Sequence, residues 1–285
     1  GPFAGLLAGV LVLAACGDNH ETHEHPDAVA VDAAPLAVSI SFAAKVSGTP
    51  FACGQTYPGI GTTDSSYVAS DFRFYVHDVR LVGTTGDLTV ALDANDFQGD
   101  GIVLLDFETG GTGCQMGSTG THAAITGRGP PGTYSGIKFK LGVPFEKNHL
   151  DAATASAPLN VAAMYWAWSS GYKFLKADGA VNGAGFNLHL GSTGCGVTGT
   201  TPPTTPCTNP NVPDVSFTNY TLGTSVIVAD VAWVLAGVDV SANTVNTAPG
   251  CMSFPGDPEC NTIFPKLGLP YGTNPAGAQM LFAVE

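Results

Sequence analysis

Nowhere does this chain carry a 3.6-residue apolar repeat long enough to specify a substantial helix. It offers short runs of alternating or continuous apolar residues, each cut off by Gly, Pro, Asp or Thr. The run Leu36–Val46 sets Val38, Ile40 and Phe42 on one face. Residues 71–82 begin the same way with Phe72, Phe74 and Val76, and then the parity blurs. Further strand signals cover 88–92, 102–107, 134–143, 172–175, 186–190, 225–231 and 280–284. With 37 glycines, 20 prolines and only 12% charged residues in 285, the composition suits a loop-rich β protein. Together these signals predict an all-β, immunoglobulin-like β-sandwich with long disulfide-bridged loops. One segment reads differently. Residues 158–168 can open with a short helix, since Pro158 suits a first helical turn and Ala162, Ala163 and Met164 are good helix formers.

The chain's beginning points to an extracytoplasmic address. Residues 6–15 form an apolar run too short to span a bilayer, of signal-peptide length, and it ends Leu13-Ala14-Ala15-Cys16. That ending is similar to a bacterial lipoprotein signal. Residues 1–16 then form a signal segment, with Cys16 lipidated to anchor the protein to a membrane. Residues 17–35 are acidic and lack aromatics, which predicts a disordered tether, and residues 36–285 form the folded domain. Within the tether, His20, His23 and His25 form a short His-rich tract of the kind that captures metal ions weakly, or else a merely solvated linker.

Of the seven cysteines, six remain once Cys16 is set aside. An even number in an exported chain implies disulfides. Local spacing favours Cys195–Cys207 and Cys251–Cys260, which leaves Cys53–Cys114 as the long-range bridge. No Cys-x-x-Cys pair supports a cysteine metal site. The net charge of −13 argues against a nucleic-acid partner.

Two of the three tryptophans stand one residue apart, in Met164-Tyr165-Trp166-Ala167-Trp168. His149 and His189 are the histidines nearest them in sequence. Such a pair beside Tyr165, Tyr172 and Phe174 packs most simply as aromatic core. If the fold gathers the histidines around it, neutral imidazoles beside an indole suit a soft metal better than acid–base chemistry. On a strand, Asn187 and His189 face away from Phe186, Leu188 and Leu190. His149 follows Pro144-Phe145 in an expected strand-end loop. An extended 166–168 segment would put both indoles on one face, and a helical one would separate them. His77, in Tyr75-Val76-His77-Asp78, is a further candidate ligand. His122 carries no assignment. The stretch Asp93-Ala94-Asn95-Asp96-Phe97-Gln98-Gly99-Asp100-Gly101 faintly resembles a calcium loop, but Phe97 and Leu104 stand where that pattern needs oxygen donors, so it reads first as a turn. No nucleophile elbow is present, and no Asp or Glu is evidently placed to orient a catalytic histidine.

The order of motifs resembles one family. These motifs are Phe51-Ala52-Cys53-Gly54, Asp71-Phe72-Arg73-Phe74-Tyr75-Val76 and Val103-Leu104-Leu105-Asp106-Phe107-Glu108. They continue with Gly142-Val143-Pro144-Phe145, Asn148-His149, Pro158-Leu159-Asn160, Met164-Tyr165-Trp166-Ala167-Trp168 and Gly171-Tyr172-Lys173-Phe174. His189-Leu190-Gly191-Ser192-Thr193-Gly194-Cys195 and Cys251-Met252-Ser253 complete the set. The chain is similar in these to the MbnP-like proteins, also described as metallo-mystery pair system four-Cys motif proteins. The resemblance implies a periplasmic or outer-membrane copper-binding protein without enzymatic activity. It implies that Trp166, or alternatively Trp168, is oxidised to kynurenine by a partner dihaem protein of the cytochrome c peroxidase type. The oxidised ring would bind copper with His149 and His189. Such a low-coordinate donor set favours Cu(I) over Zn(II). The competing reading is a surface sandwich for adhesion or carbohydrate contact, with Trp166, Trp168 and Tyr172 as a stacking platform.

Overall fold

The computed structural model describes residues 34–285 apart from positions 85, 115, 116, 118, 119 and 168. The signal segment, Cys16, the tether histidines His20, His23 and His25, and Trp168 therefore lie outside the described residues.

Two sheets face each other. The smaller runs Phe282–Val284, Val226–Asp230, Leu36–Val46, Ala124–Gly129, Ala91–Leu92. The larger runs Asp214–Phe217, Tyr134–Leu141, Ser65–Gly83, Leu175–Val181, Ala184–Leu190, Gly250–Cys251, and Ile102–Asp106 also pairs with its long central strand. Most pairings are antiparallel, but Leu36–Val46 lies parallel to Val226–Asp230, and Ala184–Leu190 parallel to Gly250–Cys251. Four phenylalanines lock the sheets together. Phe42 and Phe282 of the smaller sheet meet Phe74 and Phe139 of the larger, with ring centroids 5.3–6.1 Å apart in edge-on geometry. Val38, Ile40 and Phe42 all point into this core, as their alternation predicts.

The blurred parity of 71–82 has a physical cause: the Ser65–Gly83 strand is covered on both faces. Phe72, Phe74 and Val76 are buried, and so are Asp71, Arg73, Tyr75 and His77. Two expected strands divide. The 88–92 run breaks at Val90. Gly86–Thr89 pairs with the long strand, and Ala91–Leu92 crosses to the smaller sheet. The 172–175 run splits between Gly171–Tyr172 and Leu175–Val181. The expected helix from Pro158 does not form. Leu159 N–H donates to the Ser156 carbonyl in a turn, and a single 3₁₀ turn, Ala162–Met164, leads directly into a short strand, Tyr165–Ala167. Propensity yields here to pairing with Gly171–Tyr172.

All three expected disulfides are present, with Cys53–Cys114 closing the longest loop. The 93–101 stretch is a turn. The Asn95 side-chain oxygen accepts from Phe97 and Gln98 N–H, and the fully buried Gln98 side chain ties the turn to Thr126. Two of its three acids face cations of the chain, with Asp100 3.2 Å from Lys147 and Asp93 3.9 Å from Arg128. The turn is thus built without converging carboxylates.

Candidate metal centre

His189 owes its position to a tight hairpin. Leu175–Val181 and Ala184–Leu190 are joined by Asn182-Gly183, both at positive φ (52° and 80°), the conformation a two-residue turn of this hand requires. The turn fixes the register: Lys176 stands opposite His189, and Asp178 opposite Asn187. On its other side Lys176 stands opposite Arg73, and Asp178 opposite Asp71. Arg73 in turn faces Asp106. One face of the large sheet therefore carries a row of ionisable side chains, Asp106, Arg73, Lys176 and His189, with Asp71 and Asp178 beside it, all buried.

The row is internally paired. Arg73 and Lys176 both bind Asp71. Lys176 Nζ also lies 2.9 Å from Asp178 Oδ2, and His189 Nε2 lies 2.6 Å from Asp178 Oδ1. Burial would raise the Asp178 carboxyl, but the His189 hydrogen bond and the neighbouring Lys176 ammonium hold it below its ordinary value. Asp106 shows the opposite balance. Burial pushes it up to about 7, and Arg73 only partly opposes this. Asp178 is thus a carboxylate that orients a histidine, contrary to the expectation from sequence. The pairing joins adjacent strands diagonally, so no linear spacing reveals it.

Above His189 lies the indole of Trp166, half-buried, its ring centroid 6.1 Å from the imidazole. Phe254, exposed, has its ring centroid 6.1 Å from the indole. Lys173 Nζ sits 6.0 Å from the indole centroid and donates to the carbonyls of Ala163 and Tyr165. Burial, with Lys176 adding to it, lowers the Lys173 ammonium to about 8. The strand end is held from beneath. The Ser253 hydroxyl donates to the His189 carbonyl and accepts from Gly191 N–H, and Asn211 donates to the Gly191 carbonyl. His189 Nδ1 is buried and has no hydrogen-bond partner.

His149 sits at the Cys195–Cys207 bridge, one residue beyond Asn148, which reaches Ser192 past the end of the His189 strand. It caps the four-residue helix Phe145–Asn148 rather than sitting in a plain loop. Its Nε2 lies 3.6 Å from Cys207 Sγ, against the Cys195–Cys207 bridge. Asn148 ties this helix to the strand end: its amide lies 3.4 Å from Ser192 Oγ, and its side-chain oxygen accepts from Tyr172 N–H. His149 and both bridged sulfurs converge within 4.8 Å, but disulfide sulfur is not a thiolate ligand.

His77 does not join. It sits four residues along the long strand from Arg73 and two strands from His189, roughly 16 Å away at ordinary strand spacings. Its Nδ1 faces the Gly142 carbonyl at 2.8 Å, and burial lowers its basicity. Tyr172 is no stacking surface either, being fully buried with its hydroxyl donating to the Leu159 carbonyl.

These features define a disulfide-bridged β-sandwich with a buried imidazole–carboxylate pair beneath an indole at one strand end. The family model described as MbnP matches residues 35–253, and the chain belongs to that family. The solved structure of MbnP from Methylosinus trichosporium aligns with a TM-score of 0.77 at 27% sequence identity, over 88% of this chain and 99% of that one. No curated protein sequence matches the chain.

Proposed function

We propose that the protein is an exported, lipid-anchored copper-binding protein whose site is built at His189, Trp166 and His149. The observation that carries this reading is the buried, unpartnered Nδ1 of His189 beside the Trp166 indole. A buried lone pair without a donor costs about 1–3 kcal/mol, and a cation repays that cost. The donor chemistry fits a soft ion: imidazole nitrogens and an aromatic side chain, with no carboxylate free for Ca(II) and no thiolate for a closed Zn(II) site. Cu(I) accepts such low coordination.

An intact indole is a poor ligand, because its nitrogen lone pair belongs to the ring. Oxidative opening to kynurenine frees an aryl amine and a ketone. The opening is a four-electron oxidation: two equivalents of peroxide, used by the peroxidase-type dihaem partner, supply the oxygen and take up the electrons, the pyrrole carbon leaves as formate and one water is formed, so the residue gains one oxygen and loses one carbon. Trp166 is the substrate we favour, since its ring meets His189 at the boundary between interior and solvent. The protein is then a copper carrier and the partner's substrate rather than an enzyme.

The test combines mass and affinity. After co-expression with the dihaem partner, peptide mass mapping should show the kynurenine shift at Trp166, and Cu(I) binding should be lost in the His149→Ala, His189→Ala double variant. Copper binding that survives in that variant rules out the site, and an unmodified Trp166 in a copper-loaded protein rules out the maturation.

A further inference from the structure

We propose that Asp178 is a positioning residue that commits His189 to bind copper through Nδ1. The inference rests on the copper reading above and concerns the choice of donor atom. His189 Nε2 lies 2.6 Å from Asp178 Oδ1. An ionised carboxylate only accepts, so Nε2 carries the ring proton. A neutral imidazole has one proton to place, which leaves the lone pair on Nδ1, the buried nitrogen with no partner. Carboxylate on one ring nitrogen and metal on the other is the recurrent arrangement of ligating histidines, where it fixes both tautomer and ring angle.

Asp178 is itself held from turning. Its Oδ2 takes Lys176 Nζ at 2.9 Å, Lys176 is bound to Asp71, and Asp71 is bound to Arg73. Backbone pairing sets each of these neighbours across three adjacent strands. The Ser253 hydroxyl fixes the His189 main chain from below. The ring therefore has one rotamer and one tautomer before any metal arrives. An amide in place of the carboxylate can donate to Nε2 as readily as accept from it, and that frees the tautomer.

The test uses protein prepared with the dihaem partner, Cu(I) supplied against a competing chelator, and two-bond ¹H–¹⁵N spectra of the histidine rings. In the metal-free protein His189 Nδ1 should be the pyridine-like nitrogen, and Cu(I) should shift that resonance. Asp178→Asn should weaken Cu(I) binding about 10- to 100-fold with the stoichiometry kept, as loss of such a partner does elsewhere. A pyrrole-like Nδ1, a Cu(I) shift at Nε2, or unchanged affinity in Asp178→Asn would overturn the assignment while leaving copper binding intact. Failure of the unaltered protein to take up Cu(I) would overturn the copper reading itself. If Asp178→Asn does not fold, the spectra of the unaltered chain decide the tautomer and donor atom alone.

Discussion

Gly191 sits where the strand of His189 ends, and a methyl group there should disable the proposed metal centre without replacing any of its ligand residues. A Cβ built on Gly191 would stand 2.4 Å from Cζ3 and 3.1 Å from Cη2 of Trp166, and 2.9 Å from the Tyr172 carbonyl oxygen. Carbon–carbon contact is comfortable only near 3.5 Å, so in Gly191→Ala the indole must retreat by about 1 Å. The backbone cannot yield in its place. Phe174 N–H donates to the Leu190 carbonyl at 2.6 Å, and Ser253 and Asn211 clamp the strand end. Overpacking of this kind costs about 1–3 kcal/mol of stability. The effect on the metal is sharper, since ligand distances tolerate only about 0.2 Å, so a donor moved by about 1 Å is lost. Cu(I) affinity should fall at least about tenfold, the low end for loss of a supporting group. Gly185→Ala supplies the control, being on the same strand with nothing within 4 Å of its Cβ. Chelator competition measures affinity, and thermal unfolding measures the packing cost. A Gly191→Ala protein that melts earlier yet binds Cu(I) as before would refute the reasoning, because the indole would have moved with no consequence for the site.

Two further predictions concern stability. Asp106 holds its proton up to about pH 7 when folded and only to about 4 when unfolded, so the folded state binds the extra proton between these values. Stability should fall as pH rises from about 4 to 7, by a few kcal/mol at most, and Asp106→Asn should flatten that slope in urea titrations run across the range. Replacing Cys53 and Cys114 with alanine opens the loop of sequence separation 61 and should cost about 2–5 kcal/mol, read as a lower unfolding midpoint.

Much of this architecture is legible before any coordinates. Period-two alternation places Val38, Ile40 and Phe42 in the core, and cysteine spacing yields all three bridges. The motif order identifies the family. What stays hidden depends on register. Asp178 is eleven residues from His189 in sequence, and only the hairpin brings them together. A signal was available in Asn182-Gly183: a two-residue turn pairs Val181 with Ala184, and counting outward reaches Lys176 opposite His189. The division at Val90 was not legible, because a strand that changes sheets keeps the same alternation. The Tyr165–Ala167 strand was ambiguous for another reason: its residues favour helix or strand about equally, and a tertiary partner chose.

The long strand Ser65–Gly83 has one more consequence, for how this protein can change. Along Phe72–Val76 one parity reaches the aromatic core and the other reaches the buried charges that steady His189, and every side chain is at most 1% exposed. Drift at such positions has no neutral face on which to accumulate. A substitution that loosens the sandwich disturbs the proposed metal centre through the adjoining residue, and one that retunes the charges strains the sandwich. Selection on either property therefore preserves the other, and the strand is inherited as a single trait.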